Sequence, residues 1–405
     1  MATPILHANE LTQKKWSETV FKWKLANMLF SQFMGVQGTP EGSNSPIVTN
    51  QDLSKDQRGD QIIFRLRAPI TDAGGHDDSK IEGNEATLSW YNMPLIIHER
   101  SQGVVPEGKM TMKRTAIDIL KEGFESLVDW AAEQEDNDIV WSLCGLGNQG
   151  GYVGEGATEI ATVNEKAPST NRILRGGQTL AGATLWVATD ALIGAAGATD
   201  PEKYLFGTSV ISKLKLRASL ASPKFRPIKW NGKSYYILVC HPLQLADLRA
   251  GTGENSWNTI QAAANLRGPT NPVFERQGTG EDRMFDGAVG VWDDVVIFTS
   301  DRMPTRVAGG VFHSSTDILH ANIVSGTYRV ARCVLMGAQA AVVGYGQQWQ
   351  RHTKDFDYNR TPGVAMDALY GVGKAHFRNP GLNQAANDDT EDFSVYCCDT
   401  ACREQ

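Results

Sequence analysis

Residues 60–67 read Asp-Gln-Ile-Ile-Phe-Arg-Leu-Arg, and the layout of the chain as far as Gly145 follows from how that stretch is used. Ile62, Phe64 and Leu66 fall on one side of an extended backbone, with Ile63, Arg65 and Arg67 on the other. Alternation with period two marks a half-exposed strand. A tip rich in Gly and Asp follows at residues 71–84. Residues 86–100 then return as an apolar and aromatic run broken by Asn92, Pro94 and His98. A ribbon of this kind is expected to bury little of itself and to need surface supplied by another molecule.

The next segment has helical spacing. Ile117, Leu120, Phe124, Leu127 and Ala131 recur every three or four positions among Asp118, Lys121, Glu122, Glu125 and Asp129. Thr111 is a candidate N-cap and Gly145 a left-handed stop. About 32 residues without proline lie between them, roughly 48 Å of helix. Gln134 and Asp138 interrupt the apolar seam after about two heptads, so a single helix against a sheet is expected in place of a coiled coil. The acidic run at 133–138 reads as a solvent-facing helix surface.

Upstream, residues 12–34 read as an amphipathic helix, with Trp16, Val20, Trp23 and Phe30 near one face. Residues 35–54, rich in Gly, Ser, Asn, Thr and Pro, read as an extended connector. Trp16, Trp23 and Phe30 are therefore expected to dock on a neighbouring subunit, with a membrane surface as the rival. Downstream, a helix-like run is expected at 180–196 and a buried strand at 234–240. A helix should begin at Pro242 and run through Arg249, and strands are expected at 289–298, 363–377 and 393–400. No internal repeat of fixed period appears.

Composition narrows the function. The 405 residues carry 41% hydrophobic and 21% charged side chains, as in an ordinary soluble protein. No apolar stretch approaches the roughly 20 residues that span a bilayer, and the N-terminus has no secretory signal pattern, so synthesis and assembly inside a cell are expected. The net charge of −7 argues against a protein whose task is gripping nucleic acid. Six cysteines make no disulfide framework; Cys144, Cys240 and Cys333 read as small core residues. Cys397, Cys398 and Cys402 cluster, but they form no CxxC pair, lack a nearby histidine, and adjacent strand residues diverge.

Sequence motifs for catalysis are absent. Residues 145–150 (Gly-Leu-Gly-Asn-Gln-Gly) fit GxGxxG formally but follow a helix. Residues 371–375 (Gly-Val-Gly-Lys-Ala) lack two required positions of a phosphate loop. There is no GxSxG or HExxH, and Cys240 and His241 diverge on an extended chain. Asp72, Asp77, Asp78 and Glu82 miss calcium-loop spacing and read as a solvated or salt-bridging tip. No cofactor or metal site is assigned. The densest basic run, Lys213, Lys215, Arg217, Lys224, Arg226 and Lys229, reads as a solvated face or a charged subunit contact ahead of a DNA patch.

A polar-tipped ribbon ahead of a long helix resembles the coat proteins of tailed bacteriophages with the Hong Kong 97 (HK97) fold, and among these the major capsid proteins of N4-like phages. The resemblance rests on Ile-Glu-Gly-Asn-Glu at 81–85, Trp-Asn-Thr-Ile-Gln-Ala-Ala-Ala at 257–264 and Asn-Pro-Val-Phe at 271–274. It continues at Gly-Ala-Gln-Ala-Ala at 337–341 and in the last strand at 392–401. Ser394 stands where a glycine is usual, and Cys397 and Cys398 where aliphatic residues are usual. The resemblance implies an α+β fold with an N-terminal arm (1–58), an extended loop (59–108) and the spine helix with the first part of a peripheral domain (109–199). An axial domain (200–346) and return strands of the peripheral domain (347–405) complete it. It also implies self-assembly into hexamers and pentamers of an icosahedral shell around double-stranded DNA. The expected partners are further copies of the chain, portal and scaffold proteins and a decoration protein; packaged DNA makes only weak local contact, and no membrane is involved. Expected assembly contacts are Trp16, Trp23, Phe30, Asp72, Asp77, Asp78, Glu82, Asn84 and Glu85. Two other readings are an enzyme with an unrecognised site, which turnover by the soluble monomer would favour, and a nucleic-acid-binding module, which tight salt-dependent DNA affinity would favour.

Overall fold

The computed structural model of the chain describes residues 28–52, 59–67, 76–77, 80–82, 85, 90–106, 119–146, 163–164, 167–179, 184–187, 204–221, 224–230, 232–252, 257–258, 288–307, 329–358, 361–378 and 390–402. One long helix and two sheets organise them. The long sheet has the order Met34–Val36, Ile47–Asn50, Ala341–Phe356, Thr361–Lys374, His98–Val104, with Val163–Asn164 parallel to Thr361–Lys374. The wide sheet runs Gly290–Trp292, Val295–Thr299, Lys233–Cys240, Arg329–Met336, Val395–Cys402, Ile173–Gln178, Thr184–Trp186. Ile228–Trp230 and Thr305–Val307 pair beside its Lys233–Cys240 and Arg329–Met336 strands.

The spine helix, Ile119–Cys144, joins the two sheets. Its N-terminal half lays Leu120, Phe124, Leu127 and Ala131 on Val364 and Met366 of the long sheet, as the three-four spacing requires. Its C-terminal half puts Ile139, Val140 and Leu143 against Ile237, Val239, Phe298 and Val334 of the wide sheet. Gly145 ends it with φ +64°, and the Gly145 and Leu146 N–H groups donate to the carbonyls of Ser142 and Trp141. That pair of bonds is the Schellman motif expected of a glycine stop. Thr111 lies outside the described residues.

The strand Lys233–Cys240 is buried on both faces, which explains its unbroken apolar run. Tyr235, Ile237 and Val239 face the spine helix. Tyr236, Leu238 and Cys240 face a second layer, formed by the helices Thr208–Ser219 and Pro242–Ala250. Cys397 and Cys398 divide between the same two layers, as adjacent strand residues must. All six cysteines are buried free thiols.

Several expectations are corrected. Residues 35–54 are not only a connector: Met34–Val36 and Ile47–Asn50 pair in parallel with each other, and the second also with Ala341–Phe356. Residues 289–298 form two strands, reversed at Asp293 and Asp294, both at positive φ in the manner of a tight hairpin turn. Within the supposed helix at 180–196, Thr184–Trp186 is a strand and the Val187 N–H donates to the Arg175 carbonyl; residues 180–183 and 188–196 lie outside the described residues. The polar stretch 347–356 continues a 16-residue strand that sequence pattern alone leaves unmarked. Val395–Cys402 pairs with Arg329–Met336 in the wide sheet, away from the long sheet that residues 361–374 join. Division of the chain at 346/347 therefore does not coincide with the division between sheets.

Among the buried ion pairs, one lies within the wide sheet and another ties the end of the long strand Thr361–Lys374 to Asp392. The Arg332 guanidinium donates to both Asp399 oxygens at 2.6 and 2.7 Å and to the Cys144 carbonyl at 2.9 Å. It thus places positive charge at the C-terminal end of the spine helix, the favourable sign for the helix dipole. Lys374 Nζ lies 2.8 Å from Asp392 Oδ2, both side chains fully buried. Removing one partner of such a pair strands the other charge. Asp399→Ala is expected to lower stability by about 3–5 kcal/mol in equilibrium denaturation, and a loss below about 1 kcal/mol would show the pair is not desolvated.

Candidate assembly surfaces

The ribbon is built from Gln61–Arg67 and Trp90–Ile96, antiparallel, with Ile63 opposite Pro94 and Phe64 opposite Met93. Among the described residues these strands pair only with each other. The expected alternation is present. Ile62, Phe64, Met93 and Leu95 turn inward against Val48, Val342, Phe377 and Phe393. Glycines let the ribbon lie this close: a Cβ at Gly344 would come within 2.6 Å of Ile62 Cδ1, and one at Gly371 would overlap the Ile96 carbonyl oxygen. The inner face therefore finds its surface within its own chain, which corrects the expectation of poor self-burial. The outer face does not. Ile63, Trp90 and Ile96 are 56, 57 and 42% exposed beside exposed Arg65 and Arg67.

At the tip, Asp77 and Glu82 are exposed, as are Glu85 and Ile81. Asp77 has φ +53°, and its carboxylate sits 2.6 Å from His76 Nδ1 in open solvent. Asp72, Asp78 and Asn84 lie outside the described residues, as do Trp16 and Trp23. Phe30 requires a correction. Its ring is 1% exposed in the chain's own core with Phe33, Ile139 and Leu143, leaving it no surface for a neighbour.

The acidic run of the spine helix also requires correction. Glu135, Asp136 and Asp138 are buried. Glu135 accepts from the Tyr345 hydroxyl and from Trp349 Nε1. Asp136 accepts from the backbone N–H groups of Leu29 and Phe30, at 3.1 and 3.2 Å, and from Arg302 Nη1 at 3.2 Å. Asp138 pairs with Arg100 and accepts from the Tyr370 hydroxyl. Burial raises the Glu135 and Asp136 carboxyls above the usual range, against the pull of these donors. A signal for this was present. Continuing the stripe Phe124, Leu127, Ala131 by three and four residues reaches Gln134, Glu135 and Asp138, so carboxylates there were bound to face protein.

The remaining motifs resolve into structure. Lys374, in the would-be phosphate loop, is a strand residue paired with Asp392. His241 caps the helix Pro242–Ala250: Leu243 N–H donates to its Nδ1 at 3.1 Å, and Gln244 Oε1 accepts from the His241 N–H. Lys215 of the basic run reaches Asp293 and Asp294 at 2.7 and 2.9 Å, and Arg226 donates to Gln339, while Arg217, Lys224 and Lys229 are exposed. Among the described residues no group of three or more His, Cys, Asp or Glu is placed to hold a metal ion, and no helix is long and apolar enough to cross a membrane.

A spine helix bridging two sheets, with a two-stranded ribbon packed on one of them, is the HK97-like capsid fold. A family model described as phage capsid protein matches residues 5–404, and the chain belongs to that family. It is therefore a structural component of a phage capsid, and its lattice is built by self-association. The major capsid protein of Pseudomonas phage KPP25 is 23% identical over 390 residues, covering 94% of this chain and 92% of that relative. The capsid of Ralstonia phage GP4 has a TM-score of 0.73 at 22% identity, covering 100% of this chain and 99% of that one. The cyanophage Pam1 capsid gives 0.69 at 21% identity, with 100% of both chains covered.

Two outcomes follow from these surfaces. Phe64→Ala is expected to cost the isolated subunit about 3 kcal/mol, whereas Trp90→Ser, on the outer face, should stay within about 0.5 kcal/mol; equilibrium denaturation of both separates anchored from unanchored faces. Burial holds the His241 imidazole down at about 4, against an ordinary value of 6.5. Its folded pKa is depressed, so the stability it contributes is complete above pH 6.5 and is lost as pH falls towards 4. The loss should reach about 3 kcal/mol relative to His241→Asn, which keeps a capping acceptor but cannot take the proton. Parallel denaturation curves for the two proteins from pH 7 to 4 would refute it.

Proposed function

We propose that this chain is the major shell subunit of a tailed phage, assembling into hexamers and pentamers around double-stranded DNA. The long sheet with the N-terminal half of the spine helix serves as the peripheral part. The wide sheet serves as the axial part, meeting its copies about the local symmetry axes. The observation that carries this reading is the ribbon: one face is locked onto its own chain, and the other presents Ile63, Trp90 and Ile96 to solvent. Apolar side chains held out on a rigid support fit a contact made by another copy. Asp72, Asp77, Asp78, Glu82, Asn84 and Glu85 extend that contact at the tip, and Trp16 and Trp23 anchor the N-terminal segment on a neighbour.

Portal and scaffold proteins and a decoration protein are the further partners, assembly takes place in the host cytoplasm, and the chain has no catalytic role. With a net charge of −7 the subunit makes only weak local contact with packaged DNA. Membership of the N4-like group rests on the motifs at 81–85 and 257–264.

Each pairwise contact is modest, and closed symmetry makes many of them act together. Electron microscopy of the overexpressed chain should show closed shells, migrating as single-chain bands in denaturing gels. Removal of residues 1–27, which spares Phe30 and Phe33, should abolish them or lower their heat stability. A monomer that stays monomeric at high concentration, or heat-stable shells from the truncated chain, would count against the respective halves of this reading.

A further inference from the structure

Asp136 and Asp138 leave the same stretch of the spine helix; Asp138 holds the strand that follows the ribbon, and Asp136 holds the start of the turn Phe30–Phe33. Asp138 pairs with Arg100, whose strand His98–Val104 directly continues the ribbon strand Trp90–Ile96. Asp136 receives the Leu29 and Phe30 N–H groups, which open the 3-10 turn Phe30–Phe33. A four-residue turn cannot orient itself, and its first N–H groups have no partner within it. Leu29 offers no side-chain cap, so the acceptors come from a side chain 106 residues away. Phe30 and Phe33 add adhesion, with Phe33 edge-on to Phe298 at 5.0 Å. Apolar burial is non-directional, however, whereas two hydrogen bonds to one carboxylate fix an angle. Arg302 bonds both Asp136 and the Glu133 carbonyl, so the carboxylate cannot swing away.

We propose that Asp136 is a positioning residue for shell assembly: it fixes where and at what angle the N-terminal segment leaves the subunit, in register with the ribbon root held by Asp138. This rests on the proposed role of residues 1–27 in assembly.

The test compares full-length D136N and L29P with V296A, a variant of the same core that takes no part in the clamp's hydrogen bonds, and with the chain lacking residues 1–27. Leu29→Pro removes one donor without touching the helix, and φ −64° at Leu29 already suits proline. D136N and L29P subunits should fold and melt a few degrees lower, as V296A does. Their shells, sized by electron microscopy, should lose the single wild-type diameter, while V296A shells keep it. The proposal is overturned if D136N and L29P shells keep that diameter while loss of residues 1–27 prevents assembly, or if V296A broadens diameters equally. Normal shells from the truncated chain would overturn the underlying role of the segment instead. Should D136N not fold, L29P alone decides between these outcomes.

Discussion

Three carboxylates in four residues of one buried helix are the constraint on which the rest of the subunit depends. Taking Glu135, Asp136 and Asp138 out of water costs several kcal/mol each, and helical geometry prevents them from sharing one partner. Each must find donors in a different direction. Glu135 finds them on the long strand Ala341–Phe356, in Tyr345 and Trp349. Asp136 finds them in Arg302, just after the strand Val295–Thr299, and at the start of the turn Phe30–Phe33. Asp138 finds them in Arg100 and Tyr370. A misplaced segment would leave a carboxylate unpaired in the interior. The cluster is therefore better understood as a selector of one arrangement of five segments than as a source of net stability.

A second polar lock lies at the end of the same helix. Arg332 meets Asp399 in a bidentate pair and caps the carbonyl of Cys144, so the wide sheet is fixed to the helix terminus by direction as well as by packing. Around it the wide sheet is covered on both faces, one by the spine helix and the other by the helices Thr208–Ser219 and Pro242–Ala250. The long sheet is treated differently. Its far end, at residues 350–356, is solvent-exposed, and Arg351 there and Trp349 just before it meet the helix with side chains that combine apolar and polar character. Arg351 lies over the Phe124 ring at 4.5 Å, and Trp349 meets Trp130 edge-on at 5.8 Å.

These differences decide what the sequence made legible. Ile62, Phe64 and Leu66 announced their strand, Gly145 its helix end, and residues 234–240 a two-sided core strand, because each signal is local and repeats with the period of its element. Residues 347–356 gave no such signal: Trp349 and Phe356 stand seven positions apart, and the Gln, Arg, His, Thr, Lys and Asp between and before them mark no apolar face of period two. Ile47–Asn50 was hidden by flanking Gly, Ser and Asn, and its partner lies about 290 residues away at Ala341. Which sheet takes Val395–Cys402 is likewise decided by a pairing with Arg329–Met336 that no local pattern encodes. Charge alone assigns the buried acids to the surface. Position on the helix was the better guide for two of them: Glu135 lies four residues beyond Ala131, and Asp138 three beyond Glu135.

A shell subunit faces a requirement that a monomeric enzyme does not. Its contacts with neighbours must be individually weak enough to correct, yet their geometry must agree over many copies, because small angular errors accumulate around a closed lattice. Weak contacts cannot impose angles on a soft body, so the angles have to be set inside the subunit before any neighbour arrives. The glycines beneath the ribbon, the Asp138–Arg100 pair at its root and the Asp136 cap on the N-terminal turn all act in that sense. They add little that would stabilise an isolated chain more cheaply than ordinary apolar packing. What they supply is direction, and direction is what non-specific burial lacks.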